Sequence, residues 1–193
     1  MKILILFSLL LSSCGNHFQT PEIEITTKNN SEREQKVAAL LAEVLAEYDL
    51  SKWAFTHKVI IEQKAIPHSH PVLTLSTRST DKIDLMSVYL HEQIHWYVDK
   101  YPEAEKNAIN TFKAKYKDVP YKNKAGARSE YSTYLHLIVC YLEYQSMIAL
   151  IGRQKAKQLM WNQTHYTWIY NKVVEEEAYI GQIVQANGFD LLD

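Results

Sequence analysis

Three residues suited to metal binding and acid–base chemistry lie together near the middle of this 193-residue chain: His91, Glu92 and His95. Residues four apart on a helix share one face, one turn apart. His91 and His95 can therefore present two imidazoles to one metal ion. Glu92, one residue round from His91, can reach a water in an open coordination position and accept its proton. The spacing predicts a metal-dependent hydrolytic site.

The surrounding run favours a helix that positions these side chains. Residues 83–98 are mostly apolar and contain neither Pro nor Gly. A helix of this kind is expected to be buried, and burying two imidazoles and a carboxylate without partners is costly. A bound metal would offset that cost. The alternative is that the histidines lie at the surface or are satisfied within the core.

A second pair of titratable residues interrupts the most apolar stretch of the sequence. Residues 129–151 are apolar nearly all round, which predicts the central buried helix. His136 and Glu143 lie two turns apart on it and face the same way. Zinc hydrolases use three protein ligands and a water, and Glu143 fits the place that the two histidines leave open. Without a cation, a lone buried glutamate would be protonated.

The HExxH motif together with a later glutamate resembles the gluzincin branch of the zincin metallopeptidases. The resemblance implies that His91, His95 and Glu143 bind one Zn2+ per chain and that Glu92 is the general base. His136 would then be a catalytic residue that orients a ligand or hydrogen-bonds the oxyanion. The resemblance covers about a third of the chain.

Some assignments have alternatives. His136 itself competes with Glu143 as the third ligand, as do Glu130 and one residue of the run 175–177. Tyr166 and His165, near the start of a later helix, are candidates for donating to the oxyanion, although ordinary packing also explains them. Cys140 lies in the apolar helix and is expected to be a small core residue.

The fold class predicted is α+β, mainly α: a zincin-like domain with a small sheet before the HExxH helix. Residues 58–62 and 72–77 have strand patterns, and the second resembles the zincin edge strand that pairs with an extended substrate. His68 and His70 lie between them in a loop that we expect to be solvated. Helices are predicted at about 31–49, 80–100, 102–117, 129–151, 154–161 and 164–186.

The first residues are typical of an export signal. Lys2 precedes an apolar run that is too short to span a bilayer, and the sequence LSSC ending at Cys14 resembles the bacterial lipobox. This implies a signal peptide at 1–13, lipidation of Cys14, a tether at 14–30 and a single catalytic domain at 31–193. The protein would be anchored in a bacterial cell envelope, at the outer membrane, on its periplasmic or surface side.

The composition narrows the functions further. A formal net charge of −1 gives no reason to expect a nucleic-acid partner. The prediction is therefore a zinc-dependent metallopeptidase that hydrolyses peptide or protein substrates outside the cytoplasm. The alternatives are a non-catalytic lipoprotein that keeps the fold as a binding module, and a metal-dependent hydrolase of non-peptide amides or esters.

Overall fold

The fold is α+β and mainly helical, as the sequence predicts. The computed structural model describes residues 23–191, so the expected signal peptide and Cys14 lie outside the described residues. The strands are β1 (Glu24–Thr27), β2 (Lys58–Ile61) and β3 (Leu73–Leu75). The helices are α1 (Glu32–Glu47), α2 (Lys82–Val98), α3 (Pro102–Lys115), α4 (Glu130–Ile151), α5 (Arg153–Trp161), α6 (Thr167–Glu175) and α7 (Glu177–Ala186), with a 3-10 turn at Ser51–Trp53.

The sheet precedes α2 and has the order β1-β2-β3, with both pairs of strands parallel. Because β1 lies inside the range 14–30, part of the expected tether belongs to the fold. β3 is shorter than the predicted strand 72–77. On the edge away from β2, Thr74 exchanges backbone hydrogen bonds of 2.8 and 3.0 Å with His68. The edge expected to receive a substrate strand is therefore paired with its own chain at Thr74.

Helix starts follow local capping chemistry. Ser31 caps α1 and forms a capping box with Glu34. Helix α2 begins at Lys82, two residues after the start that the sequence predicts. Asp81 caps the helix because its carboxylate accepts hydrogen bonds from the backbone N–H groups of Ile83 and Asp84 at 3.0 and 2.9 Å.

Helix α4 occupies the centre of the molecule, and α2, α3, α5, α6 and α7 all pack against it. Ser129 caps its start, and Gly152 ends it with a φ of 83°, a conformation that favours glycine. Its length and mean hydropathy of 1.3 would suit a membrane span, but 67% of that window is buried inside the protein. The prediction of a central buried helix is confirmed.

The single helix predicted at 164–186 is instead two helices, α6 and α7. They meet at Glu176, whose φ of −114° and ψ of 32° are not helical. The Glu176 carboxylate accepts hydrogen bonds from Lys115, from Tyr116 at 3.0 Å and from Lys172 at 3.0 Å. These contacts come largely from another helix, so no local signal marks the break.

Candidate metal centre

The packing of α2 on α4 brings three imidazoles together. The ring centroids of His91, His95 and His136 lie 5.0 to 5.4 Å apart, and their ligand atoms lie within 4.8 Å of one another. Three imidazoles that bind one zinc tetrahedrally, with Zn–N of about 2.0–2.1 Å, hold their centroids about 5 Å apart. The triangle therefore has the size that a zinc ion requires.

Hydrogen bonds fix which nitrogen of two rings is free. The Nδ1 of His91 lies 2.9 Å from a carboxylate oxygen of Glu143, and the Nδ1 of His136 lies 2.6 Å from the carbonyl oxygen of Ser132. Because both oxygens only accept, each Nδ1 carries the hydrogen and donates it. In the neutral form of each ring, Nε2 then keeps a lone pair, as a metal ligand must.

The protonation states of the three rings differ. Burial, together with the charge of His91, lowers the pKa of His95 well below its usual value and that of His136 to about 3. Both rings are therefore neutral and able to bind metal. Burial alone would lower the pKa of His91, but its contacts with Cys140 and Glu143 raise it well above the usual value. His91 thus holds an extra proton that a metal ion would have to displace.

Glu143 is saturated with hydrogen bonds on the Nδ1 side of His91. Its carboxylate accepts from the Ser87 hydroxyl at 2.5 Å, from the His91 ring at 2.9 Å and from the Tyr170 hydroxyl at 2.8 Å. A second group that could hold a metal, His91, Cys140 and Glu143, lies here. Its His91–Glu143 contact, however, has the length of a hydrogen bond. The geometry thus favours His136 over Glu143 as the third ligand.

Cys140 is fully buried, as expected of a core residue, but it also contacts His91. This contact was missed. The signal that could have shown it is spacing, because positions 136, 140 and 143 are one and two turns apart on α4.

Glu92 lies beside the triangle and is buried. Burial raises the pKa of its carboxyl, while the charges of His91 and His68 oppose that rise. Tyr166 borders the same space, with its ring 4.5 Å from that of His136 and 6.1 Å from that of His91. Burial raises the pKa of the Tyr166 phenol, which keeps it protonated and able to donate.

The loop before β3 lies against α2 next to the site. His70 stacks on Trp96 with centroids 4.0 Å apart, and its Nε2 lies 3.3 Å from the Asp99 carboxylate. The Trp96 indole N–H donates to the carbonyl of Ser69 at 2.8 Å. The charge of His68, in the same loop, acts on the pKa of Glu92, so the loop lies near the site.

Several sequence candidates lie outside the triangle. His165 is exposed, and its ring contacts the side chain of Thr164. Glu130 is exposed at the start of α4. Glu176 is held as described above, and Glu177 accepts from Arg153 at 2.6 Å.

No protein-family model, curated protein or solved structure matches this chain. The likeness to gluzincins therefore stays a prediction from the HExxH motif.

Proposed function

We propose that this protein is a zinc-dependent metallopeptidase. The single observation that carries the proposal is the triangle of His91, His95 and His136 beside the buried carboxyl of Glu92. The three histidines would hold the ion, and Glu92 would be the general base. A bound zinc would polarise the scissile carbonyl and acidify the attacking water.

Glu92 accepts the proton of the attacking water and passes it to the leaving amine. Its raised pKa suits both steps, because a base works best when its pKa is near the working pH. Burial also keeps bulk water from competing for the carboxylate.

The Tyr166 hydroxyl is proposed to donate a hydrogen bond to the carbonyl oxygen as negative charge develops there. Its ring lies against that of His136, and Tyr166 is the residue immediately before α6. His165 is not part of this proposal, because it points to solvent. His136 changes role relative to the sequence interpretation, from oxyanion donor to ligand.

Glu143 is proposed to orient a ligand. It holds the His91 ring through Nδ1, and Ser87 and Tyr170 hold its carboxylate in turn. Carboxylates behind ligand histidines raise the basicity of the ring and fix its direction. The zincin fold, the lipid anchor at Cys14 and a place in the bacterial envelope belong to the same proposal and rest on the sequence motifs.

The test compares the purified wild type with Glu92→Gln and His136→Ala, and uses the exposed Glu103→Gln as a control. We expect one zinc per chain in the wild type, in Glu92→Gln and in the control. His136→Ala should lose the metal. Hydrolysis of a fluorogenic peptide pool should fall roughly 10²–10⁴-fold in Glu92→Gln and stay unchanged in the control.

Full activity of Glu92→Gln would contradict the mechanism. A wild type that binds zinc but hydrolyses no peptide in the pool would favour a binding module instead.

A further inference from the structure

Arg128 is an exposed cation next to the site. It directly precedes Ser129, the residue that caps α4, two turns before His136. Among residues 23–191, no carboxylate forms an ion pair with it. An exposed guanidinium without a protein partner is free to bind an anion from solution.

The backbone around Arg128 is fixed. The N–H of Ala127 donates to the Thr133 hydroxyl at 2.9 Å, and its carbonyl accepts from Lys122 at 2.7 Å. A Cβ at Gly126 would lie only 1.7 Å from the carbonyl oxygen of Pro120. Position 126 therefore packs too closely against Pro120 for any residue but glycine. The backbone that carries Arg128 is held in place by these contacts.

The same segment also holds the start of α6. The N–H groups of Thr167 and Trp168 donate to the carbonyls of Lys124 and Ala125 at 3.1 and 3.0 Å. Tyr166 immediately precedes these residues. Arg128 and Tyr166 thus lie on two segments that are joined by backbone hydrogen bonds.

The charge of Arg128 reaches the site. Burial is the main influence on both pKa values, lowering that of His136 and raising that of Tyr166, and the positive charge of Arg128 acts to lower each of them. The guanidinium is therefore close enough to attract an anion that approaches these two side chains.

The paired edge of β3 argues against a long extended substrate. Thr74 already exchanges both of its outward backbone hydrogen bonds with His68. A substrate strand could not pair with β3 at this residue without displacing the loop. A short substrate held by a charged end needs no such edge.

We propose that Arg128 binds a substrate carboxylate next to the scissile bond, so that the enzyme cleaves near a free C-terminus. A guanidinium binds a carboxylate through two parallel hydrogen bonds, which adds direction to charge. The inference rests on the proposed function, since it names the substrate class of that site.

The experiment measures peptide binding by calorimetry to zinc-loaded, full-length Glu92→Gln, in which turnover is blocked. Three N-acetylated tetrapeptides are compared: Ala-Ala-Phe-Ala with a free C-terminus, the same peptide amidated, and amidated Ala-Ala-Phe-Asp. Each of three further substitutions is combined with Glu92→Gln: Arg128→Gln, Arg128→Lys and, as a matched control, Lys124→Gln. Lys124 is an exposed cation of the same loop.

We expect the free acid to bind at least about tenfold more tightly than the amide in Glu92→Gln and in the Lys124 control. The preference for the free acid should vanish with Arg128→Gln. It should shrink with Arg128→Lys, because lysine lacks the two parallel N–H donors of the guanidinium. Tight binding of the amidated Asp peptide as well would identify a side-chain carboxylate as an equal source.

Equal or undetectable binding of acid and amide in Glu92→Gln would overturn the inference, as would an undiminished preference in Arg128→Gln. Zinc is quantified in the same samples. Samples without zinc would contradict the proposed function, whereas zinc-loaded samples without a carboxylate preference would contradict only the role of Arg128.

Discussion

At the scale of single residues, the question at Glu143 is whether its carboxylate binds the metal itself or only orients a histidine that binds it. Its carboxylate bonds to Ser87, His91 and Tyr170. Glu143→Gln keeps the shape and removes the charge, so we expect one zinc per chain with affinity lowered roughly 10–100-fold. Competition with a chelator measures this.

The matched control is Glu130→Gln, an exposed glutamate on the same helix, which should bind zinc like the wild type. Complete loss of zinc in Glu143→Gln would restore Glu143 as a ligand, the role that the sequence interpretation gave it.

The proton on His91 gives zinc binding a pH dependence. The pKa of this ring lies well above its usual value, since Cys140 and Glu143 outweigh the effect of burial. The zinc-bound ring lacks that proton, so affinity should rise with pH up to the raised pKa, by about tenfold per unit for one proton. Titrations from about pH 6 to 8 measure the slope.

Glu143→Gln serves as the comparison in that titration. Because it removes the charge that raises the pKa of His91, its slope should flatten at a lower pH than in the wild type. Identical pH profiles of the two proteins would contradict this account of the site.

At the scale of elements, Glu34 joins the start of α1 to the sheet. It is buried, and it accepts backbone hydrogen bonds from Asn29, Ser31 and Gln63, each at 3.0 Å. Burial alone would raise the pKa of its carboxyl, but these bonds lower it to about 2. The carboxylate is thus better stabilised in the folded protein than in the unfolded chain.

The sign of the effect on stability follows from this. A pKa lowered on folding gives stability that is fully present above the unfolded value of 4.5 and is lost as pH falls toward 2. Glu34→Gln should lower the melting temperature at neutral pH and weaken its dependence on pH in that window. Scanning calorimetry measures both.

Glu32→Gln is the matched control for Glu34→Gln. Glu32 is exposed and pairs with Lys36 across one turn, so its loss should change the melting temperature little. Equal changes of the melting temperature in the two variants would mean that the hydrogen bonds of Glu34 do not stabilise the fold more than an exposed ion pair does.

Sequence reasoning works best where the signal is local. The capping box of Ser31 and the end of α4 at Gly152 depend on neighbouring residues, and the helix start predicted at 31 and the helix end predicted at 151 agree with the structure to within one residue. Glu176, at the break between α6 and α7, accepts hydrogen bonds from Lys115 and Tyr116, which lie some 60 positions earlier in the sequence.

The third ligand shows the same limit. The spacing of His136, Cys140 and Glu143 places them on one face of α4. It does not tell which position along α4 lies opposite the motif histidines of α2. The crossing brings His136 against both motif histidines, and Glu143 behind one of them. The sequence therefore predicts the candidates, and the choice among them depends on how α2 packs against α4.

At the scale of the whole molecule, the site draws on distant parts of the chain. The loop at 66–71, α2, the segment before α4, α4 itself and the start of α6 all border it. They share one core, in which α4 contacts most other helices. Loops that connect through such a core are held in place, which is what a preorganised hydrolytic site requires.

The central claim is that three imidazoles hold the metal, and X-ray absorption at the zinc edge tests it most directly. Scattering from imidazole rings counts these ligands in the zinc-loaded protein. We expect three imidazoles per zinc in the wild type, with Zn–N of about 2.0–2.1 Å. Two imidazoles and a protein carboxylate in the wild type would contradict the claim, as would a wild-type protein that binds no stoichiometric zinc.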